Sequence, residues 1–369
     1  MSETSRWISE PFTPYIVDTH QDIAYNAFCF NRDYRLSAER KRELEIGTAY
    51  PIQNGNAVLG LPNALQGRVA IACATIFTAP DAGNSSVPYA RVMYQNAVQA
   101  ETIGFDQIAY YENLVAVEPR LRIIKNNADL EAVLATWGDE QPSANRTQGF
   151  IISMENADPI VTPRDFGRWH ERGLRVVGPA WVASRYSGGT SMPSGLTPLG
   201  YDLLREMMVY HAVLDVSHTA EQAFYDSLNF YEGSIIASHS NPRYFKNTDR
   251  HLSDDMIRLL ASRDGVMGIA LYNLFLDNNW GYSSGKNAIS ITRVVEVIDY
   301  ICQLTGSCAH VGIGSDFDGG FGVESIPAEI DTVADVWHIK DALSMRGYRD
   351  EDVYSILGGN MLRKLRQAL

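Results

Sequence analysis

Apolar, β-branched runs recur along the chain, far enough apart to hold a helix between each pair. The pattern predicts strands at "YIVDTHQDI" (15–23), "RVAIACATIF" (68–77), "QGFIISMEN" (148–156) and "GLRVVGPAW" (173–181). Four more are predicted at "HAVLDVSHT" (211–219), "SIIASHSN" (234–241), "GVMGIALYN" (265–273) and "HVGIGSDFD" (310–318). Runs this continuously apolar are what a parallel sheet buried on both faces requires. Helical patterns lie between them. "TPLGYDLLREMMVY" (197–210) offers Thr197 as its cap and Pro198 at the first helical position. "SDDMIRLLASRDG" (253–265) opens with Ser253 and two acidic residues and is expected to stop at Gly265; "ISITRVVEVIDYICQLTG" (289–306) has helical spacing and is expected to stop at Gly306.

Eight strands alternating with helices predict an α/β fold, a (β/α)8 TIM-like barrel with its site at the C-terminal ends of the strands. The stretch 31–66 reads as an insertion after the first strand. Residues 182–196 and 274–287 read as long loops leaving strand ends, where a barrel builds its substrate site. No repeat or interdomain linker interrupts the pattern, so residues 1–369 are expected to form one domain.

Composition narrows the picture modestly. With 45% hydrophobic and 20% charged residues the chain is ordinary globular material. A formal charge of −13, a pI near 5.1 and the lack of a basic cluster argue against a nucleic-acid partner. "MSETSRWISEPFTP" has neither the basic nor the apolar region of a secretory signal, and no apolar run is long enough to span a bilayer. Cys29, Cys73, Cys302 and Cys308 are too few and too irregularly spaced for a disulfide framework. These features predict thiols in a cytoplasmic protein with no membrane partner.

The chemistry lies in what ends each strand. In "YIVDTHQDI", Asp18, His20 and Asp22 alternate and so share one strand face. Burying such charge is costly unless it is paired or binds metal. His20 and Asp22 are followed at later strand ends by Glu155, His218, His239 and Asp316. Taken singly, each is more simply a hydrogen-bonded structural residue. Together they form an imidazole and carboxylate set without thiolate, which suits Zn²⁺ or a similar divalent ion. Five ligands exceed what one catalytic zinc usually takes, so two metals sharing Glu155 fit better, roughly 3.5–4 Å apart and clamping a hydroxide. His170, His211, His251, His310 and His338 are read as structural or solvent-facing.

These residues resemble the membrane dipeptidase (renal dipeptidase) family of metallopeptidases, within the amidohydrolase-like metal-dependent barrels. The matching segments are "VDTHQD", "SMEN", "GLRVV", "GLTPLG" (195–200), "LDVSHTA", "ASHSNPR", "RHLSDD" (250–255), "HVGIGSDFDGG" and "GGNMLRKL" (358–365), in family order over almost the whole chain. The resemblance implies a zinc-dependent dipeptidase holding two Zn²⁺, one on His20 and Asp22 and one on His218 and His239, with Glu155 as bridge. Its substrates would be dipeptides or N-acyl amino acids with a free C-terminal carboxylate. Asp316 matches the catalytic aspartate that passes the water's proton to the leaving amine, whereas Asp318 is expected to organise the following loop. Arg250 matches the position that receives the substrate carboxylate, its alternative being an ion pair with Asp254 or Asp255. Tyr272 matches a substrate-contacting position, and a homodimer is implied.

One departure stands out. The family's fourth strand ends in a histidine directed at the substrate carbonyl, and here Trp181 occupies that slot. An indole donates one N–H but carries no positive charge and exchanges no proton. Trp181, Arg185 or Tyr186 would have to replace that histidine, or the substrate would be a different small amide or ester.

Overall fold

A computed structural model describes residues 15–81, 89–138 and 143–369. Eight parallel strands form the centre: β1 (Ile16–Gln21), β2 (Val69–Phe77), β3 (Gln148–Glu155), β4 (Leu174–Gly178), β5 (Val213–Asp215), β6 (Ile235–Ala237), β7 (Val266–Ile269) and β8 (Val311–Ile313). Neighbours run in the order 2-1-8-7-6-5-4-3, and β2 pairs with β3 to close the ring, giving the expected (β/α)8 barrel. All strand residues are buried except Phe77 at the end of β2, which is partly so. This burial on both faces explains why the runs read as continuously apolar. Registers align the functional ends: Phe77 lies opposite Glu155, and Glu155 opposite Gly178.

The helix signals act as expected at most ends. Thr197 Oγ1 accepts from the Gly200 N–H at 3.1 Å and Ser253 Oγ from the Met256 N–H at 3.3 Å, each satisfying a donor left over in a first turn. The helix Ile291–Thr305 stops at Gly306 in the left-handed region, φ 72°. The helix after Ser253 differs. It ends at Ser262, and the left-handed residue is Asp264, φ 55°, not Gly265. Gly265 serves close packing instead, since a Cβ there would stand 2.3 Å from Leu260 Cδ1.

The strands are shorter than their hydrophobic runs. Asn156, His218, Asp316 and Asp318 all have positive φ, between 62° and 73°, just beyond the ends of β3, β5 and β8. That conformation cannot continue a strand and is costly for a residue with a Cβ, so the chain leaves the sheet where the polar residues begin. The opposite end of the barrel is closed by residues 355–365. There Asn360 Nδ2 donates to the carbonyls of Cys308 (2.7 Å) and Val311 (2.9 Å), and Ser234 Oγ donates to the Lys364 carbonyl at 3.2 Å.

Segment 31–66 folds into short helices Ala38–Leu44, Tyr50–Asn54 and Leu61–Gln66. Asp318 fastens it: its carboxylate accepts from the Val58 N–H at 2.8 Å and the Leu59 N–H at 3.2 Å, with Arg32 at 3.8 Å. Asp318 thus anchors the segment after β1. Its oxygens are buried, so an amide replacement would set an NH₂ group against a backbone N–H. Asp318→Asn is expected to cost about 2–3 kcal/mol, read as a lower midpoint in urea unfolding.

Candidate metal centre and active-site cavity

The curled strand ends bring the six predicted groups together at the mouth of the barrel. His20 lies near the end of β1 and Asp22 just after it, Glu155 closes β3, and His218, His239 and Asp316 lie beyond β5, β6 and β8. His20 Nε2 is 3.3 Å from Asp22 Oδ2, 3.7 Å from Glu155 Oε2 and 3.9 Å from Asp316 Oδ1. The other oxygen, Glu155 Oε1, is 3.0 Å from His218 Nε2 and 3.3 Å from His239 Nε2. Glu155 therefore faces a His/Asp pair with one oxygen and a His/His pair with the other. Three overlapping donor groups result: His20, Asp22 and Glu155; Glu155, His218 and His239; His20, His239 and Asp316.

Hydrogen bonds behind the cluster set the His239 ring state and meet the His218 ring. Asp215 accepts from the Ser238 hydroxyl at 2.5 Å, leaving that oxygen to accept from His239 Nδ1–H at 2.7 Å. Thr190 Oγ1 lies 3.0 Å from His218 Nδ1. With Nδ1 protonated on both rings, both Nε2 atoms present lone pairs, yet they stand 3.1 Å apart and beside a carboxylate oxygen. His20 Nε2 and Glu155 Oε1 are buried without a hydrogen-bond partner. Lone pairs converging on unpartnered atoms in a buried site fit a cation, and an imidazole and carboxylate donor set suits a divalent one. Gly319 keeps the space open, because a Cβ there would come within 2.5 Å of Asp316 Oδ1 and 2.7 Å of Asp22 Oδ2.

Without a cation, the electrostatics are those of a strained charge cluster. Burial drives Asp22, Glu155 and Asp316 upward from the usual carboxyl range. Burial also holds His218 and His239 well below the ordinary imidazole value, which keeps them neutral as ligands must be. His20 goes the other way: burial opposes its charge, but Asp22, Glu155 and Asp316 outweigh it and push the ring up to about 10. Asp18, on the same strand face, takes no part. Ser315 Oγ (2.6 Å), the Ser315 N–H (2.8 Å) and Gln21 Nε2 (2.8 Å) satisfy its oxygens, so it braces β1 against β8.

The cluster opens into a cavity of about 540 Å³, which Trp181, Arg250 and Tyr272 also line. Arg250 is buried and donates to the His239 carbonyl at 2.6 Å and Ser240 Oγ at 3.2 Å, so the surface pairing with Asp254 or Asp255 is set aside. Its Nε has no partner. Tyr272 stacks on Phe321 at 4.1 Å and shares a 2.6 Å hydrogen bond with the Tyr282 hydroxyl. Arg185 and Tyr186 do not reach the cavity. Arg185 is held by Asp158 and the carbonyls of Ile160 and Val161, and the Tyr186 hydroxyl donates to the Ile160 carbonyl. Of the three candidates to replace the missing histidine, Trp181 alone faces the site, its ring 6.3 Å from that of His218.

Residues 13–369 match the family described as Membrane dipeptidase (Peptidase family M19). The chain belongs to that family. Its class is therefore that of metallo-dipeptidases, hydrolases of small peptides, and the family implies a metal at the clustered residues. An uncharacterized protein in the pqqA 5′ region of Klebsiella pneumoniae is 29% identical over 275 residues, covering 72% of this chain and 95% of the relative. Solved structures share the fold. The probable dipeptidase PvdM of Pseudomonas aeruginosa aligns with a TM-score of 0.76 at 19% identity, covering 96% of this chain and 95% of that one. A metallo peptidase of Rhodobacter sphaeroides liganded with a phosphinate mimic of L-Ala-D-Ala aligns with a TM-score of 0.74 at 20% identity, covering 97% of this chain and 100% of that one. Among the described residues of this member no helix is long and apolar enough to cross a membrane.

Sequence reasoning missed the supports of the cluster: Thr190, Ser238 and Asp215. Asp215 carried a signal, since it precedes His218 in "LDVSHT" as a carboxylate inside an apolar run. Outer hydrogen bonds of this kind commonly tune metal affinity 10–100-fold. Ser238→Ala is expected to weaken metal binding by about tenfold or more, measured by competition with a chromogenic chelator, with the unfolding midpoint checking that the fold persists.

Proposed function

We propose that the chain is a zinc-dependent dipeptidase that hydrolyses the amide bond of dipeptides or N-acyl amino acids bearing a free C-terminal carboxylate. The observation that carries this reading is Glu155, whose two oxygens face separate ligand pairs. On this reading His20 and Asp22 would hold one Zn²⁺, His218 and His239 would hold the other, and Glu155 would be shared between them. Such a pair, when bound, supplies a water acidic enough to ionise near neutral pH and polarises the amide carbonyl.

The protein's own groups do the rest. Asp316 takes up the proton released by the attacking water and delivers it to the leaving nitrogen, a role supported by its place at the cluster edge, 3.9 Å from His20. Arg250 receives the substrate carboxylate, for which its buried guanidinium and unpartnered Nε are suited. Tyr272 and Trp181, which both line the cavity, contact the substrate. A cytoplasmic setting and a homodimeric assembly belong to the same proposal.

A second reading, a binuclear amidohydrolase of another small amide or ester, is favoured by Trp181 alone. The indole lines the cavity where the family places histidine, and losing an oxyanion donor costs roughly 10²–10³ in rate.

Chelation is expected to abolish hydrolysis, and metal analysis of the reconstituted protein to find about two zinc per chain. Asp316→Asn should keep its zinc yet lose roughly 10²–10⁴ in kcat; survival of hydrolysis would remove the proton-transfer assignment. Trp181→His is expected to raise kcat for dipeptides by up to about a hundredfold, measured with L,L and L,D dipeptides, whereas an unchanged rate favours the second reading.

A further inference from the structure

The cavity has two unlike halves. On one side the Arg250 guanidinium lies 5.5 Å over the Phe275 ring, and Tyr272 bridges Phe275 (4.9 Å) to Phe321 (4.1 Å). This half carries a cation. On the other side Trp181 meets Phe77 edge-on at 5.1 Å, and Phe77 meets Tyr25 edge-on at 5.7 Å. Tyr89 and Met93 extend this wall.

The second wall is apolar by construction. Its two tyrosines direct their hydroxyls away from the cavity: Tyr25 Oη donates to Asn54 Oδ1 at 3.0 Å, and Tyr89 Oη to the Gln53 carbonyl at 2.5 Å. Both acceptors lie in the segment after β1, so these tyrosines offer the cavity ring carbon. Tyr25 and Phe77 join a small hydrophobic cluster with Cys29, Phe30 and Val92 behind them. Among the described residues that line the cavity, the carboxylates are Asp22, Glu155 and Asp316. All three are committed at the cluster on the reading given above, Asp22 and Glu155 as ligands and Asp316 to proton transfer.

An amide whose carboxylate end sits on Arg250 and whose carbonyl meets the cluster must send its acyl half into this aromatic wall. A dipeptide would bring its α-ammonium there, away from any carboxylate free to pair with it, and unpaired charge is costly in an apolar site. We propose that the preferred substrates are N-acyl amino acids whose acyl group is apolar or aromatic, in place of dipeptides with a free amine. This rests on the hydrolase reading given above and selects among the substrates it admits. In the reaction, water adds to the acyl carbonyl, the C–N bond breaks, the nitrogen gains a proton, and a carboxylic acid and a free amino acid leave. Trp181 in the histidine slot then widens the apolar wall.

The test compares 3-phenylpropanoyl-alanine with phenylalanyl-alanine, which differ only by the α-amine, using the zinc-loaded full chain. The desamino compound is expected to have the higher kcat/KM, by about tenfold or more. Equal or faster cleavage of the dipeptide overturns the preference while leaving the hydrolase reading intact. Cleavage of neither, with zinc bound, removes that reading and this inference together. Met93→Asp places a carboxylate on the aromatic wall and is expected to narrow the ratio by raising kcat/KM for the dipeptide; an unchanged ratio in a folded, zinc-loaded variant also counts against the proposal.

Discussion

Three carboxylates and three imidazoles share one buried site, and that crowding governs the surrounding structure. Such groups repel or lose solvation unless protons or cations intervene, and burial pushes the carboxyls up while holding two of the imidazoles neutral. A barrel is a suitable frame for this arrangement because its closed ring of main-chain hydrogen bonds supplies stability away from the mouth. The strained backbone at His218 and Asp316 is tolerated for the same reason: apolar strands buried on both faces over-determine the turns that follow them.

The site is layered. Asp215 and Ser238 fix the His239 tautomer, Thr190 meets the far side of His218, and Asp18 ties β1 to β8 beneath the cluster. None of these residues opens into the cavity except Thr190. Outside this layer, much of the cavity wall comes from segments that belong to no barrel strand, Phe77 at the end of β2 being an exception. The hairpin formed by Ser187–Gly189 and Met192–Leu196 presents Thr190, and its Thr190 N–H donates to the Trp181 carbonyl at 3.0 Å. The segment after β1 holds the hydroxyls of Tyr25 and Tyr89.

The eight strands were legible because burial on both faces leaves an apolar run that needs no periodicity to be seen. Their ends were not, since a single residue's change in the sign of φ, as at Asp316, leaves no hydrophobic signature. Gly265 shows the same limit from the other side: glycine marks either a left-handed turn or a close contact, and here Leu260 makes it the latter. The metal residues were readable as polar interruptions of apolar runs. Their supports were harder to see, because Asp18 and Asp215 are interruptions of the same kind whose role depends on partners remote in sequence. Arg185 and Tyr186 looked available from their proximity to Trp181; their commitment to Asp158 and Ile160 is a three-dimensional fact.

The closure at the far end of the barrel bears on how the mouth is held. Residues 355–365 pack under the starts of β1, β6 and β8, where a Cβ on Gly358 would stand 2.9 Å from the Tyr15 carbonyl. They lie far along the chain from the strand β1 that they cover. They form the floor of the barrel, which keeps water from the lower ends of its apolar strands. The ion-holding mouth thus leans on contacts made at the opposite end of the barrel between residues remote in sequence.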